Sequence, residues 1–199
     1  GKKIIITGGG RGLGYAMAKT FKACGAEVLI AGRNEETLKQ SAEQLNCKYL
    51  KLDLQEVSNF KVFVKKADDI LGGANCLVNN AGISLHELNY LDVTEDLYDS
   101  QLNTNFKGPF FLTQAFIQML MNKENHSGKV LFISSETGST VDERPYGLTK
   151  AAINSLVQGL AYRYINDGIR INAIGPGVTA SDMTGRKDNG DLYYKNGIT

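Results

Sequence analysis

The stretch TGGGRGLG, residues 7–14, follows a β-branched run and precedes an apolar pattern with helical spacing. The β-branched run is KIIIT at 3–7, and Leu13, Met17 and Phe21 recur at steps of four. That recurrence places these side chains on one face of a helix. Residues 7–14 therefore predict the turn that joins the first strand to the first helix of an α/β unit.

The glycines of this turn favour a bound phosphate group. They let the backbone turn tightly and approach a ligand, and the helix N-terminus offers unpaired N–H groups and a positive dipole. An ordinary glycine-rich turn remains the alternative, since short glycine patterns occur by chance. The position between a strand and a helix favours a dinucleotide pyrophosphate.

Six short apolar runs alternate with helix-length segments along the chain. Four are almost continuously apolar, as strands buried on both faces should be. This alternation predicts an α/β fold with right-handed crossovers, and hence an open, doubly wound parallel sheet of the Rossmann type. No change of composition marks a boundary, so residues 1–199 are predicted to form a single domain. The predicted strands are 3–7, 27–31, 48–53, 76–80, 129–134 and 169–174.

Local signals predict where three of the helices begin. Asn34 is expected to cap the helix after the second strand. Asp92 and Glu95 resemble a capping box for a later helix. A long helix rich in small residues is predicted over 146–164.

Composition excludes several classes of protein. The 199 residues carry 22 Lys+Arg against 21 Asp+Glu, and this balance gives no basic excess for nucleic acid. The three cysteines are odd in number and lack C-x-x-C spacing, so neither a disulfide framework nor a metal site is expected. With no membrane-length apolar run and no signal-peptide pattern, we expect a cytoplasmic protein that binds no membrane.

The spacing T-G-x-x-x-G-x-G resembles that of the short-chain dehydrogenase/reductase superfamily, classical type. The resemblance extends to 3-oxoacyl-carrier-protein reductases and to sugar and polyol dehydrogenases, and it runs along nearly the whole chain. The further motifs that carry it are Asn79-Asn80-Ala81-Gly82, the Asn103–Gly108 run NTNFKG, Ser134-Ser135, Tyr146-x-x-x-Lys150 and Pro176-Gly177.

The resemblance implies an NADP(H) or NAD(H) site made largely of these motifs. In the family, the residue matched by Ser181 offers a hydroxyl to the nicotinamide carboxamide, and Thr179 would contribute backbone groups. The residues implied to bind the cofactor are Gly8, Gly10, Arg11, Gly12, Leu13, Gly14, Arg33, Asp53, Leu54, Asn80, Ala81, Gly82, Tyr146, Lys150, Pro176, Gly177, Thr179 and Ser181.

The end of the second strand bears on the choice of cofactor. Gly32 stands where an acidic residue would accept bonds from the ribose 2′-OH of NAD, and Arg33 follows it. With Arg11 nearby, two guanidinium groups could bind the 2′-phosphate of NADP, so NADP(H) is preferred over NAD(H). Two solvated surface arginines are the alternative. Asp53 resembles the family's adenine-contacting aspartate, although it could also be a turn residue.

Tyr146 and Lys150, four residues apart on a predicted helix, can form an acid–base device. A phenol with a pKa near 10 exchanges protons poorly at neutral pH, and an adjacent ammonium group would lower that pKa. A merely exposed helical pair is the alternative. The resemblance implies that Tyr146 exchanges the proton with the substrate oxygen and that Ser135 orients it, with Ser134 the competing candidate. Asn105 would hold, through its backbone carbonyl, a water that relays protons from Lys150.

The function implied is hydride transfer between NADP(H) and a small carbonyl or secondary alcohol substrate, catalysed by a homodimer or homotetramer. The alternatives are an NAD(H)-dependent sugar or polyol dehydrogenase and a catalytically silent nucleotide-sensing protein. Residues 179–199 match the family's substrate-covering region. The family pattern also leads us to expect a further helix and a seventh strand that this sequence does not contain.

Overall fold

A computed structural model of the chain describes residues 1–85, 89–177 and 179. Its strands are β1 (Lys3–Thr7), β2 (Glu27–Gly32), β3 (Lys48–Lys51), β4 (Cys76–Asn79), β5 (Gly128–Ile133) and β6 (Ile169–Ile174). Its helices are α1 (Gly12–Ala23), α2 (Glu35–Leu45), α3 (Phe60–Leu71), α4 (Glu95–Leu102), α5 (Gly108–Met121) and α6 (Pro145–Tyr164). A π-helical segment, Asn103–Lys107, joins α4 to α5.

The six strands form one parallel sheet with the order β3-β2-β1-β4-β5-β6. This is the Rossmann-type arrangement predicted from the sequence. Chain order reverses between β1 and β4, and in such folds ligands bind in the crevice beyond the carboxyl ends of the strands at this point.

Alternate residues of the strands pack on opposite faces of the sheet. Ile5 belongs to the hydrophobic cluster that includes Phe63 of α3, Phe116 of α5 and Ile153 of α6. Ile4 and Ile6 belong to a second cluster with side chains from α1 and α2. Because both faces are covered, these strands are continuous in apolar residues rather than alternating.

Several predicted boundaries need small corrections, and one predicted cap is wrong. Strand β5 begins and ends one residue earlier than expected, and β3 stops at Lys51. Asn34 does cap α2, because its side chain accepts a hydrogen bond from the Thr37 N–H at 2.9 Å. The Asp92–Glu95 capping box does not form; Thr94 caps α4 by accepting from the Leu97 N–H. Within the described residues, none of the helices has the length and apolar character that a membrane crossing requires.

Candidate active site

A cavity of about 870 Å³ lies at the carboxyl ends of the strands, around the point where the strand order reverses. It brings together residues that are far apart in the sequence, from the glycine turn after β1 to the loop after β6. The predicted site residues that line it are Gly8, Gly10, Arg11, Gly12, Leu13, Gly14, Arg33, Asp53, Leu54, Asn80, Ala81, Gly82, Ser135, Tyr146, Lys150, Pro176, Gly177 and Thr179. Asn105 does not line it, and Ser181 lies outside the described residues.

Two polar side chains brace the glycine turn against the end of β4. The Thr7 hydroxyl accepts hydrogen bonds from the N–H groups of Asn80 and Ala81, both at 3.0 Å. The Asn80 side-chain amide donates to the carbonyls of Thr7 at 2.9 Å and Gly8 at 3.3 Å. The side chain of Asn80 therefore holds the turn in shape. Thr7, which the sequence reasoning did not select, acts with it across more than 70 residues of chain.

The turn is packed too closely to accept side chains at three of its glycines, Gly8, Gly9 and Gly14. A Cβ atom at Gly14 would overlap the Gly8 carbonyl and the Asn80 amide, and one at Gly8 would lie 2.9 Å from the Ala81 Cα. The N-cap residue of α1, Arg11, makes no capping hydrogen bond with its side chain. Bare backbone thus faces the cavity beside an uncapped helix N-terminus, and this arrangement fits the pyrophosphate of a dinucleotide.

The end of the cavity beside β2, called its far end below, carries two exposed arginines, Arg11 and Arg33. Gly32 lies beside them at the end of β2, so the last residue of this strand offers no carboxylate. Asp53 lines the same cavity, and its carboxylate accepts a hydrogen bond from the Gln55 N–H at 3.0 Å. Asp53 therefore lines the cavity and has the turn role that was the alternative, while its contact with an adenine stays a prediction.

Ser135 and Tyr146 meet at the other end of the cavity. The side chain of Ser135 hydrogen-bonds Tyr146, and it also accepts hydrogen bonds from the N–H of Thr137 at 3.3 Å and the Thr137 hydroxyl at 2.9 Å. Burial raises the pKa of the Tyr146 phenol, and the Ser135 hydrogen bond opposes that rise without cancelling it. The phenol is therefore protonated at neutral pH.

Lys150 is 5% exposed, and its ammonium group donates a hydrogen bond to the Ile133 carbonyl at 2.9 Å. Burial lowers the pKa of this lysine to about 8. The ammonium nitrogen lies 5.5 Å from the centroid of the Tyr146 ring. The expected lowering of the phenol pKa by Lys150 is not found in this structure: burial raises that pKa, and the opposing effect comes from Ser135.

The two candidate serines have different surroundings. Ser134 is 4% exposed, and its hydroxyl donates to the Asn154 side-chain oxygen at 2.7 Å. The Asn154 amide in turn donates to the Gly138 carbonyl at 3.0 Å, which ties the loop after β5 to α6. Ser134 thus has a bracing role, whereas Ser135 contacts the phenol. Asn154 was missed from the sequence, although its place four residues after Lys150 puts it on the same helix face.

Asn105 lies in the π-helical segment and is 2% exposed. Its side chain accepts from the Ile83 N–H and donates to the Ile83 carbonyl, both at 2.8 Å. A Cβ atom built on Gly82 would lie 3.3 Å from the Asn105 side-chain oxygen and 3.7 Å from the Lys150 ammonium. Asn105 therefore lies behind the cavity wall, next to Lys150, and anchors the chain that follows β4. Single-turn π-helical insertions of this kind are frequent at functional sites.

Fold and site together define a dinucleotide-binding α/β protein. The family model for short chain dehydrogenase matches residues 2–191. An oxidoreductase from Staphylococcus epidermidis is 32% identical, over 96% of this chain and 83% of the relative. Oxidoreductase UcpA from Salmonella typhimurium is also 32% identical, over 92% of this chain and 71% of its own length.

Among solved structures, 3-oxoacyl-[acyl-carrier protein] reductase from Brucella melitensis, in complex with NAD, is similar. It superposes with a TM-score of 0.83 at 30% identity, over 92% of this chain and 76% of that one. This chain belongs to the short-chain dehydrogenase/reductase family and is an NAD(P)-dependent oxidoreductase.

Proposed function

We propose that this protein interconverts a carbonyl and a secondary alcohol with NADP(H), using Tyr146 as general acid and base. One observation carries the proposal: the hydrogen-bonded pair Ser135–Tyr146 and the buried Lys150 line the same cavity as the glycine turn. The nicotinamide, when bound, supplies the hydride chemistry. The described residues of the cavity contribute binding, orientation and proton transfer.

Each of the three side chains has a role that its surroundings support. Tyr146, protonated at neutral pH, can donate its proton to an oxygen on which negative charge develops. Ser135 can donate to the same oxygen and hold it in line. Lys150, protonated below about pH 8, places a positive charge near the reacting oxygen and can bind ribose hydroxyls. We keep the Asn105 backbone carbonyl as the proposed anchor of a water that exchanges protons with Lys150.

NADP(H) is the proposed cofactor because of the charges at the far end of the cavity. Arg11 and Arg33 supply planar donors suited to a 2′-phosphate, and Gly32 supplies no carboxylate to repel it. The NAD complex of the Brucella relative keeps NAD(H) as the alternative for this chain.

Arg33→Asp is expected to raise the KM for NADPH by about 10- to 100-fold, because a charge-assisted bond to phosphate is replaced by repulsion. The KM for NADH should change little or fall. Steady-state kinetics with both cofactors measure the preference. Lys39→Asp is the matched control, because it makes the same charge change at an exposed position of α2 that does not line the cavity. An unchanged preference in Arg33→Asp would refute the phosphate argument.

The substrate class is tested by NADPH consumption across a panel of ketones, ketose and aldose sugars, and 3-oxoacyl thioesters. We expect turnover of one class that is lost in Tyr146→Phe. The acyl thioesters enter the panel because the Brucella relative is a 3-oxoacyl-carrier-protein reductase. Reduction confined to sugars with NADH, or oxidation confined to polyols with NAD⁺, would favour the sugar or polyol dehydrogenase. Tight NADPH binding without any turnover would favour a nucleotide-sensing protein.

A further inference from the structure

Ser135 begins a short 3₁₀ turn, Glu136–Ser139, immediately after β5. Its side-chain oxygen accepts a hydrogen bond from the Thr137 N–H at 3.3 Å and another from the Thr137 hydroxyl at 2.9 Å. Thr137 also lines the cavity next to Ser135. One residue thus supplies two donors to the hydroxyl oxygen that faces the phenol.

A serine hydroxyl has one proton to donate and two lone pairs that can accept. When both lone pairs are occupied by Thr137, the Ser135 oxygen has no acceptor capacity left for a third partner. Its single proton must then point towards the remaining neighbour, which is Tyr146 or a substrate oxygen in its place.

We propose that Thr137 is a positioning residue that commits the Ser135 hydroxyl to act as a donor towards the reacting oxygen. The inference rests on the proposed function, since it gives Ser135 a substrate oxygen to bind. Without the Thr137 hydroxyl, one lone pair of Ser135 is open. The serine can then accept the Tyr146 proton instead of donating its own, which is the wrong arrangement for stabilising an alkoxide.

Thr137→Val removes the hydroxyl and keeps the shape and the backbone N–H. We expect kcat for carbonyl reduction to fall about three- to tenfold, the range for losing one orienting hydrogen bond, with the KM for NADPH unchanged. Thr137→Ser restores a hydroxyl at the same place and should recover most of the activity. A loss of packing alone would not be recovered by the smaller serine.

Thr140→Val is the matched control for the turn itself. The Thr140 hydroxyl donates to the Thr137 carbonyl at 3.2 Å, a hydrogen bond in the same turn that does not involve Ser135. Its removal should leave kcat within about twofold of the parent, because it weakens only a neutral bond at an exposed site. Thermal unfolding of all variants checks that the fold is kept.

The decisive measurement is the double-mutant cycle with Ser135→Ala. If Thr137 acts through Ser135, Thr137→Val should cause no further loss in the Ser135→Ala background. Additive losses, or a Thr137→Val variant as active as the parent, would overturn the positioning role. Failure of the proposed function looks different, because Ser135→Ala and Tyr146→Phe would then leave turnover unchanged.

Discussion

Replacing Tyr146 by phenylalanine is expected to lower kcat for carbonyl reduction about a thousandfold, within the range for loss of a general acid. The variant keeps the ring, which lies 5.5 Å from the Lys150 ammonium, and loses only the proton donor and its bond to Ser135. NADPH binding, followed by fluorescence titration, should be affected far less than kcat, because Tyr146 is only one of the many residues predicted to bind the cofactor. Loss of kcat without loss of binding is what separates a group that acts in the transition state from one that holds the ligand.

Tyr162→Phe is the matched control for that change. Tyr162 lies on the same helix, α6, and is 89% exposed. Removal of its hydroxyl should change neither turnover nor cofactor binding. A Tyr146→Phe variant that keeps parent-level turnover with every substrate of the panel would contradict the catalytic assignment.

The fold could be predicted from the sequence because both faces of the sheet are covered. Burial on two sides requires runs such as Ile4–Ile6, and these are visible without any knowledge of partners. The ends of strands were less predictable, because they depend on bonds across the sheet. Ser134, expected to end β5, instead follows it, although its N–H still donates to the Ile174 carbonyl.

The outline of the site could also be predicted, since the motifs follow the carboxyl ends of neighbouring parallel strands and must meet there. The contacts that orient the side chains could not be predicted from the sequence. The Thr7 hydroxyl accepts a hydrogen bond from the N–H of Ala81, 74 residues away, and the Asn105 side chain hydrogen-bonds the backbone of Ile83. The phenol pKa depends on burial, which a helical spacing does not reveal, so its direction was predicted wrongly. Ser181 lies outside the described residues, and the predicted homo-oligomer stays a prediction.

Lys150→Met is expected to lower turnover by at least about a hundredfold. The same substitution is expected to stabilise the fold at pH 7. A pKa lowered by burial from 10.5 to about 8 means that the buried charge costs the folded state about 3 kcal/mol. Methionine removes this cost and also the bond to the Ile133 carbonyl, which is worth about 1.5 kcal/mol. A net gain of about 1–2 kcal/mol in the free energy of unfolding should remain, measured by urea denaturation.

The pH dependence of that gain tests its cause. The folded pKa lies below the unfolded one, so between about pH 8 and 10.5 the unfolded state binds more protons, and the parent gains stability as the pH rises. Lys150→Met lacks this group, so its advantage should be largest below pH 8 and should vanish or reverse near pH 10. Lys39→Met, at an exposed position of α2, should show no such pH-dependent difference from the parent. If Lys150→Met were less stable than the parent at pH 7, this prediction would be wrong. The buried ammonium group would then stabilise the fold instead of destabilising it.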